Sequence, residues 1–212
     1  MHELCGGLRI ELHKFRRGGD LAHFDLVGSI YPATGTTLAE ALQKVRDAYP
    51  AQGPLEQCDN VLCLTNRCRI TINQRLNYFH AKEDAISVKC AKEDTGSQDM
   101  KLWPGLVLQS AVTERKLLKN ALRYKIIEAT TETCSLARVN DEGTIVGEQF
   151  VMPTEDIPRK LRLTYAITYD SSQARTLYGR VRLVQTDHVH MTLRRLIVGL
   201  GRAPEGSQLE VE

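Results

Sequence analysis

Apolar residues recur along this chain in two rhythms, one helical and one strand-like. Leu38, Leu42 and Val45 repeat at helical spacing as far as Pro50, and Thr37 with Glu40 three residues on forms a capping box, so a helix is predicted there. Asn60-Val61-Leu62-Cys63-Leu64 is a short apolar run between polar residues, which predicts a buried strand, and the pattern over residues 66–77 suits a helix. A strand followed by a helix is the unit of a parallel α/β sheet. Residues 82–99 are charged and poor in large apolar side chains, which predicts an exposed excursion with one strand over 85–90. Short strand patterns then follow at 106–108, 124–127, 136–139 and 148–151, with Asn140-Asp141-Glu142-Gly143 as a turn, and together they predict a small β-barrel inserted into the larger domain. A strand resumes over 161–167, and a helix is expected over 187–200 with Asp187 as its N-cap. Ahead of all these, Leu8, Ile10 and Leu12 mark a short strand and Gly18-Gly19 a break.

Composition narrows the class. At 212 residues, 42% hydrophobic and 25% charged, the chain can bury a proper core and hold a small insertion besides. No apolar stretch approaches the roughly 18 residues of a membrane span, and the first residues lack a signal-peptide pattern, so a cytoplasmic or nuclear protein without a membrane partner is expected. Cys5, Cys58, Cys63, Cys68, Cys90 and Cys134 include no C-x-x-C, and several lie in apolar runs, which favours reduced, buried thiols over zinc or disulfides. His188 and His190 flank Val189 in what reads as a helix start, favouring a solvated or DNA-facing role and no metal. The net charge of +2 decides nothing. Its distribution is more useful: Arg159, Lys160, Arg162, Arg175, Arg180, Arg182, Arg194, Arg195 and Arg202 face only Asp170 and Asp187 in that segment. Such a stretch suits a polyanionic partner, and equally a basic face balanced by acids elsewhere in the fold.

The sharpest signal is in residues 163–177, L-T-Y-A-I-T-Y-D-S-S-Q-A-R-T-L. They resemble the strand-to-loop motif of superfamily-one DNA helicases, roughly W/Y-A-L-T-I-H-K-S-Q-G-x-T-L, keeping Ala166, Thr168, Ser172, Gln173, Thr176 and Leu177. Residues 196–206, L-I-V-G-L-G-R-A-P-E-G, resemble the family's last motif, whose arginine reaches the nucleotide. Leu12-His13-Lys14-Phe15-Arg16-Arg17 is similar to its L-T-x-x-F-R-Q segment, and Leu62-Cys63-Leu64-Thr65-Asn66 with Ile72-Asn73 to its L-x-x-T-N strand and helix. An inserted Src-homology-type barrel, introduced here by Pro104-Gly105, is a feature of the Pif-like and RecD-like branch. Ser171, Ala174 and Gly201 depart from the family's lysine, glycine and serine, and Asn120-Ala121 replaces the Asn-Gly turn common in the barrel.

The resemblance implies the C-terminal half of an ATP-dependent DNA helicase: a RecA-like parallel sheet flanked by helices over residues 1–100 and 152–212, interrupted by a small β-barrel over 101–151. It assigns Arg202 first and Arg16 second as arginines that meet a nucleotide's phosphates. Such a finger supplies charge where it accumulates during transfer, worth roughly 10³ to 10⁵ in rate, and its forked, permanently charged head is not replaced by lysine. Gln173 joins them at the nucleotide, while Thr65, Thr168, Ser171, Ser172, Arg175 and Thr176 are the candidates for holding single-stranded DNA at the carboxyl ends of the strands, where open α/β sheets place ligands.

Two parts of such a motor are missing from the sequence. It contains no G-x-x-x-x-G-K-S/T loop, and its one Asp-Glu pair, Asp141-Glu142, lies in a turn and not at the end of an apolar strand. ATP and magnesium are therefore expected to be shared with an N-terminal RecA-like ATP-binding domain, and the chain alone is expected not to hydrolyse ATP. A non-catalytic nucleic-acid-binding remnant of a helicase is the second reading, and a Cys/His metal module a distant third.

Overall fold

The computed structural model describes residues 19–90, 97–114 and 117–212; the strand expected over 8–12, Arg16 and Cys5 lie outside them. In chain order the elements are α1 (Leu21–Ser29), α2 (Leu38–Ala48), β1 (Asn60–Cys63), α3 (Asn66–His80), β2 (Ile86–Val88), β3 (Met100–Leu102), β4 (Val107–Ser110), β5 (Arg123–Ala129), β6 (Thr133–Val139), β7 (Ile145–Pro153), α4 (Ile157–Lys160), β8 (Leu161–Leu163), β9 (Ala166–Thr168), β10 (Val181–Leu183), α5 (Leu193–Leu200) and β11 (Leu209–Val211). The capping box is present: the Thr37 hydroxyl accepts from the Glu40 amide at 3.3 Å, and the Glu40 carboxylate accepts from the Thr37 amide at 2.9 Å.

Four strands form a parallel sheet in the order β11-β10-β1-β9. Residues of β1 alternate between its two faces, so Leu62 packs with Leu42 and Val45 of α2 and Leu196 and Leu200 of α5, while Val61 and Cys63 pack with Ile72 and Leu76 of α3. Burial on both faces is why β1 reads as an unbroken apolar run. One outer edge of the sheet is covered by a side chain. Asn73 of α3, fully buried, donates to the Ala166 carbonyl at 2.9 Å and accepts from the Ala166 amide at 2.8 Å, standing in for a neighbouring strand. Four residues along the same helix face, Asn77 does the same for Lys101 of β3, at 2.9 and 2.7 Å.

The second unit is a five-stranded antiparallel sheet in the order β7-β6-β5-β4-β8, so the predicted small barrel takes the form of a sheet with β7 and β8 at its edges. Its core gathers Leu102, Trp103, Leu108, Ile126, Leu136 and Leu161. The single strand expected over 161–167 is two strands in two sheets: β8 pairs with β4, the chain turns through Thr164 and Tyr165, and β9 pairs with β1. The expected strand at 85–90 is β2, which pairs with β3.

The last helix begins later than the sequence suggested. Thr192, not Asp187, is its N-cap, accepting from the Arg195 amide at 3.3 Å, because residues 184–192 run through turns and the Asp187 carboxylate is taken by Arg46 at 2.8 Å. Strands β10 and β11 were not predicted. Each carries a charge in its middle, Arg182 and Glu210, and these are register partners that neutralise one another.

Candidate functional site

At the carboxyl end of the parallel sheet, β1 and β9 finish side by side, with Cys63 in register with Thr168. Thr65 leaves β1 and caps α3, its hydroxyl accepting from the Cys68 amide at 3.2 Å. Gln185, which the sequence did not single out, reaches across from the end of β10 with φ 58°, and its side-chain oxygen accepts from the Leu64 amide at 3.0 Å and the Thr65 amide at 3.1 Å. The Thr168 hydroxyl donates to Ser171 Oγ at 2.8 Å and accepts from the Ser171 amide at 3.2 Å, folding the loop after β9 back over the strand end. Ser172 is buried, and its hydroxyl donates to the Tyr169 carbonyl at 2.7 Å. Exposed Ser171 and Gln173 and half-buried Thr176 share this loop. Gln173 lines a recess of about 420 Å³ with Arg194, Arg195 and Asp170, the last two ion-paired at 3.1 Å.

Arg202 sits under the same loop. Its Nε donates to the Val198 carbonyl at 2.9 Å, and its Nη1 donates to the carbonyls of Ser172 and Arg175, each at 3.2 Å. Arg175 in turn donates to Gln109 Oε1 and to the Ala121 carbonyl, both at 3.0 Å, tying the loop to the antiparallel sheet. Arg202, Ser172, Gln173 and Arg175 are thus brought together with Thr168 and Ser171, while Thr65 stands on the neighbouring strand end. Ala174 adopts φ 62°, a conformation glycine takes without cost, at the position where the resemblance expects glycine.

The basic segment divides on inspection. Arg180, just ahead of β10, and Arg182, in its middle, both bind the Glu210 carboxylate, with Arg182 also donating to the Gln52 carbonyl at 2.6 Å, so both are taken up by partners within the fold. Burial alone would raise the Glu210 pKa, but the hydrogen bonds and charges of the two guanidiniums outweigh it and hold it below the ordinary range. Lys160 is held by Glu114 at 2.9 Å and Asp156 at 3.0 Å. For these residues the second of the two readings of the charge pattern holds, a basic set balanced by acids elsewhere in the fold. Cys58, Cys63 and Cys134 are buried thiols; burial pushes Cys63 up to about 12, which makes it unreactive at neutral pH. Among the described residues, no group of three or more His, Cys, Asp or Glu is placed to hold a metal, and no helix is long and apolar enough to cross a membrane.

No family model matches the sequence, and no curated protein matches it. Solved structures match it closely in shape. A Pif1 helicase solved for its unwinding of forked duplex DNA superposes with a TM-score of 0.65 at 15% identity, covering 93% of this chain and 48% of its own. The fold is that of the matched part of these Pif1 helicase structures. A Bacteroides Pif1 helicase in complex with ADP-AlF3 and single-stranded DNA gives a TM-score of 0.64 at 16% identity over 96% of this chain and 51% of its own. The Candida albicans Pif1 helicase gives 0.62 at 16% over 93% and 55%. The chain spans about half the length of the Pif1 structures it matches.

Proposed function

We propose that this chain is a motor domain of an ATP-dependent DNA helicase, contributing Arg202 and a single-strand grip to an ATP site that an N-terminal RecA-like domain completes. The observation that carries the reading is the meeting of two segments distant in sequence: the Arg202 guanidinium lies on the carbonyls of Ser172 and Arg175, at 3.2 Å each, inside a Pif1-like fold. A change in Arg202 on meeting phosphate would be felt directly by the loop that carries Ser171, Gln173 and Thr176, which is the coupling a translocating motor needs. In this reading residues 1–100 and 152–212 make the RecA-like body and 101–151 belong to the inserted unit, to which β8 also contributes a strand.

The residues present suit one side of a nucleotide only. They offer a guanidinium, an amide side chain and hydroxyls, but no phosphate loop and no strand-end acidic pair, so ATP and magnesium would be held by the other lobe. The test is direct. The purified chain should bind labelled oligo-dT with an affinity that falls as salt rises, and should hydrolyse no ATP. Supplied with the ATP-binding half of a Pif1 helicase, it should support DNA-stimulated turnover that Arg202→Lys lowers by roughly 10³-fold or more. ATP hydrolysis by the chain alone, or failure to bind oligo-dT at low salt, would overturn the reading.

The contacts of Arg202 favour a second reading, a nucleic-acid-binding remnant in which this arginine only braces the loop. Arg202→Lys would then lower the melting temperature and leave turnover in the reconstituted pair unchanged.

A further inference from the structure

The antiparallel sheet turns a row of cations toward the parallel sheet. Gln109 of β4 is in register with Arg123 of β5 on one side and Arg162 of β8 on the other, and register partners project from the same face. Arg175 reaches Gln109 from the loop after β9. Arg69 of α3 is 6% exposed, donates to Asn66 Oδ1 at 3.2 Å, and has no ion pair among the described residues. Two of these guanidiniums crowd others: Arg162 acts on Arg69, and Arg123 on Arg175, and in each case burial first and then the like charge depress the buried member's pKa. Among the described residues the Arg123 Nε is buried without a hydrogen-bond partner. Like charges half out of water are costly where carboxylates do not balance them, and Asp141 is the carboxylate that acts on Arg123.

Beside Arg123 the seam opens into a recess of about 520 Å³ lined by His80, Trp103, Tyr165 and Tyr178. His80 and Tyr165 are already stacked, with ring centroids 5.5 Å apart and planes 20° apart, and Tyr178 is 45% exposed. Flat aromatic walls beside an unsatisfied guanidinium fit a base attached to a phosphate. Asp59, Asp141 and Glu142 also line the recess; they accept hydrogen bonds, so they suit the N–H edge of a base and confine the phosphate to the arginine side.

We infer that this seam is a second grip on single-stranded nucleic acid, with backbone phosphates on Arg69, Arg123 and Arg162 and one base stacked in the recess against Tyr178. The inference rests on the reading of the chain as a single-strand-binding motor half and names residues outside the loop which that reading uses. It is tested on the full chain with oligo-dT carrying fluorescein and one 5-iodouracil. Photocrosslinks should map to Tyr178, His80, Tyr165 or Trp103, the last being the chain's one tryptophan. Tyr178→Ala should weaken binding roughly tenfold. Arg162→Gln, at an exposed position, should lower the slope of log affinity against log salt by about 0.7, and the Arg123→Gln, Arg162→Gln pair by about 1.4. Lys44→Gln, the same charge change on exposed α2, should leave the recess crosslinks in place. Binding that persists with crosslinks confined to residues 168–176, and unchanged slopes, sinks the seam but not the loop grip. Loss of all oligo-dT binding in the wild-type chain sinks the motor reading and the seam together. Crosslinking of dTMP that oligo-dT does not displace would assign the recess to a free nucleotide and overturn the inference.

Discussion

His23 is held neutral by its surroundings. It is 3% exposed, and the Leu200 carbonyl, which can only accept, lies 3.2 Å from Nε2, so Nε2 carries the proton and Nδ1 accepts from the Tyr49 hydroxyl at 3.0 Å. Burial lowers its pKa against the opposing pull of the Leu200 carbonyl and Asp20. The unfolded chain therefore binds more protons than the folded one as pH falls below the ordinary value of 6.5, and stability should drop there. Thermal melting at about pH 7.5 and about pH 5.5 should show this loss, and His23→Gln should flatten it; an unchanged dependence in the variant would exclude His23 as its source. Two alanines make an opposite case. Ala121 at φ 68° and Ala174 at φ 62° occupy the left-handed region, so replacing either with glycine should change stability by no more than about 1 kcal/mol and in the favourable direction, as read by urea unfolding. Gly199 has no such freedom to lend. A Cβ there would lie 2.8 Å from the Tyr169 ring and 3.0 Å from Leu183, so Gly199→Ala should cost about 1–3 kcal/mol and disturb the loop after β9.

At the scale of elements, α3 depends on two amides as much as on its apolar face. Asn73→Ala would strand the amide and carbonyl of Ala166 in a buried edge, at a cost of about 2–4 kcal/mol, whereas a solvated asparagine would be removed for almost nothing; chemical denaturation separates the two. The sequence pattern located α2, β1 and α3 because each follows one period from a clear cap or a clear polar boundary. Within four residues Cys63 ends the strand, Thr65 caps the helix and Asn66 starts it. It did not reveal β10 and β11, since a charge in mid-strand reads as surface unless its partner is known, and that partner lies 28 residues away. Nor could it reveal that residues 161–167 serve two sheets, because both halves are apolar and only pairing distinguishes them. Of the candidate site, Thr168, Ser172 and Arg202 were singled out by the resemblance of their segments to helicase motifs, but Gln185, placed by a left-handed backbone, and the arginine row of the antiparallel sheet, set by register, were not. The Glu210 ion pairs join β10 to β11. Glu210→Gln would leave Arg182, 5% exposed, without its counter-charge and should cost up to about 3 kcal/mol, while the contribution of half-exposed Arg180 is screened. Because the Glu210 pKa is lowered, the stability it provides is present above the ordinary glutamate range and is lost as pH falls through its folded value.

The whole molecule joins a parallel sheet to an antiparallel one through Thr164 and Tyr165 alone on that side, and both residues are anchored. The Thr164 hydroxyl donates to the Val107 carbonyl at 2.9 Å, and the Tyr165 carbonyl accepts from the Val61 amide at 2.8 Å. Arg175 adds a second tie from the far end of β9. A connection of two bound residues has no slack to take up. Any swing of this half against another lobe would carry both sheets together, and a tug on a nucleic-acid strand lodged near Tyr178 would be felt at Arg202, whose carbonyl accepts from the adjacent Leu177 amide at 2.9 Å.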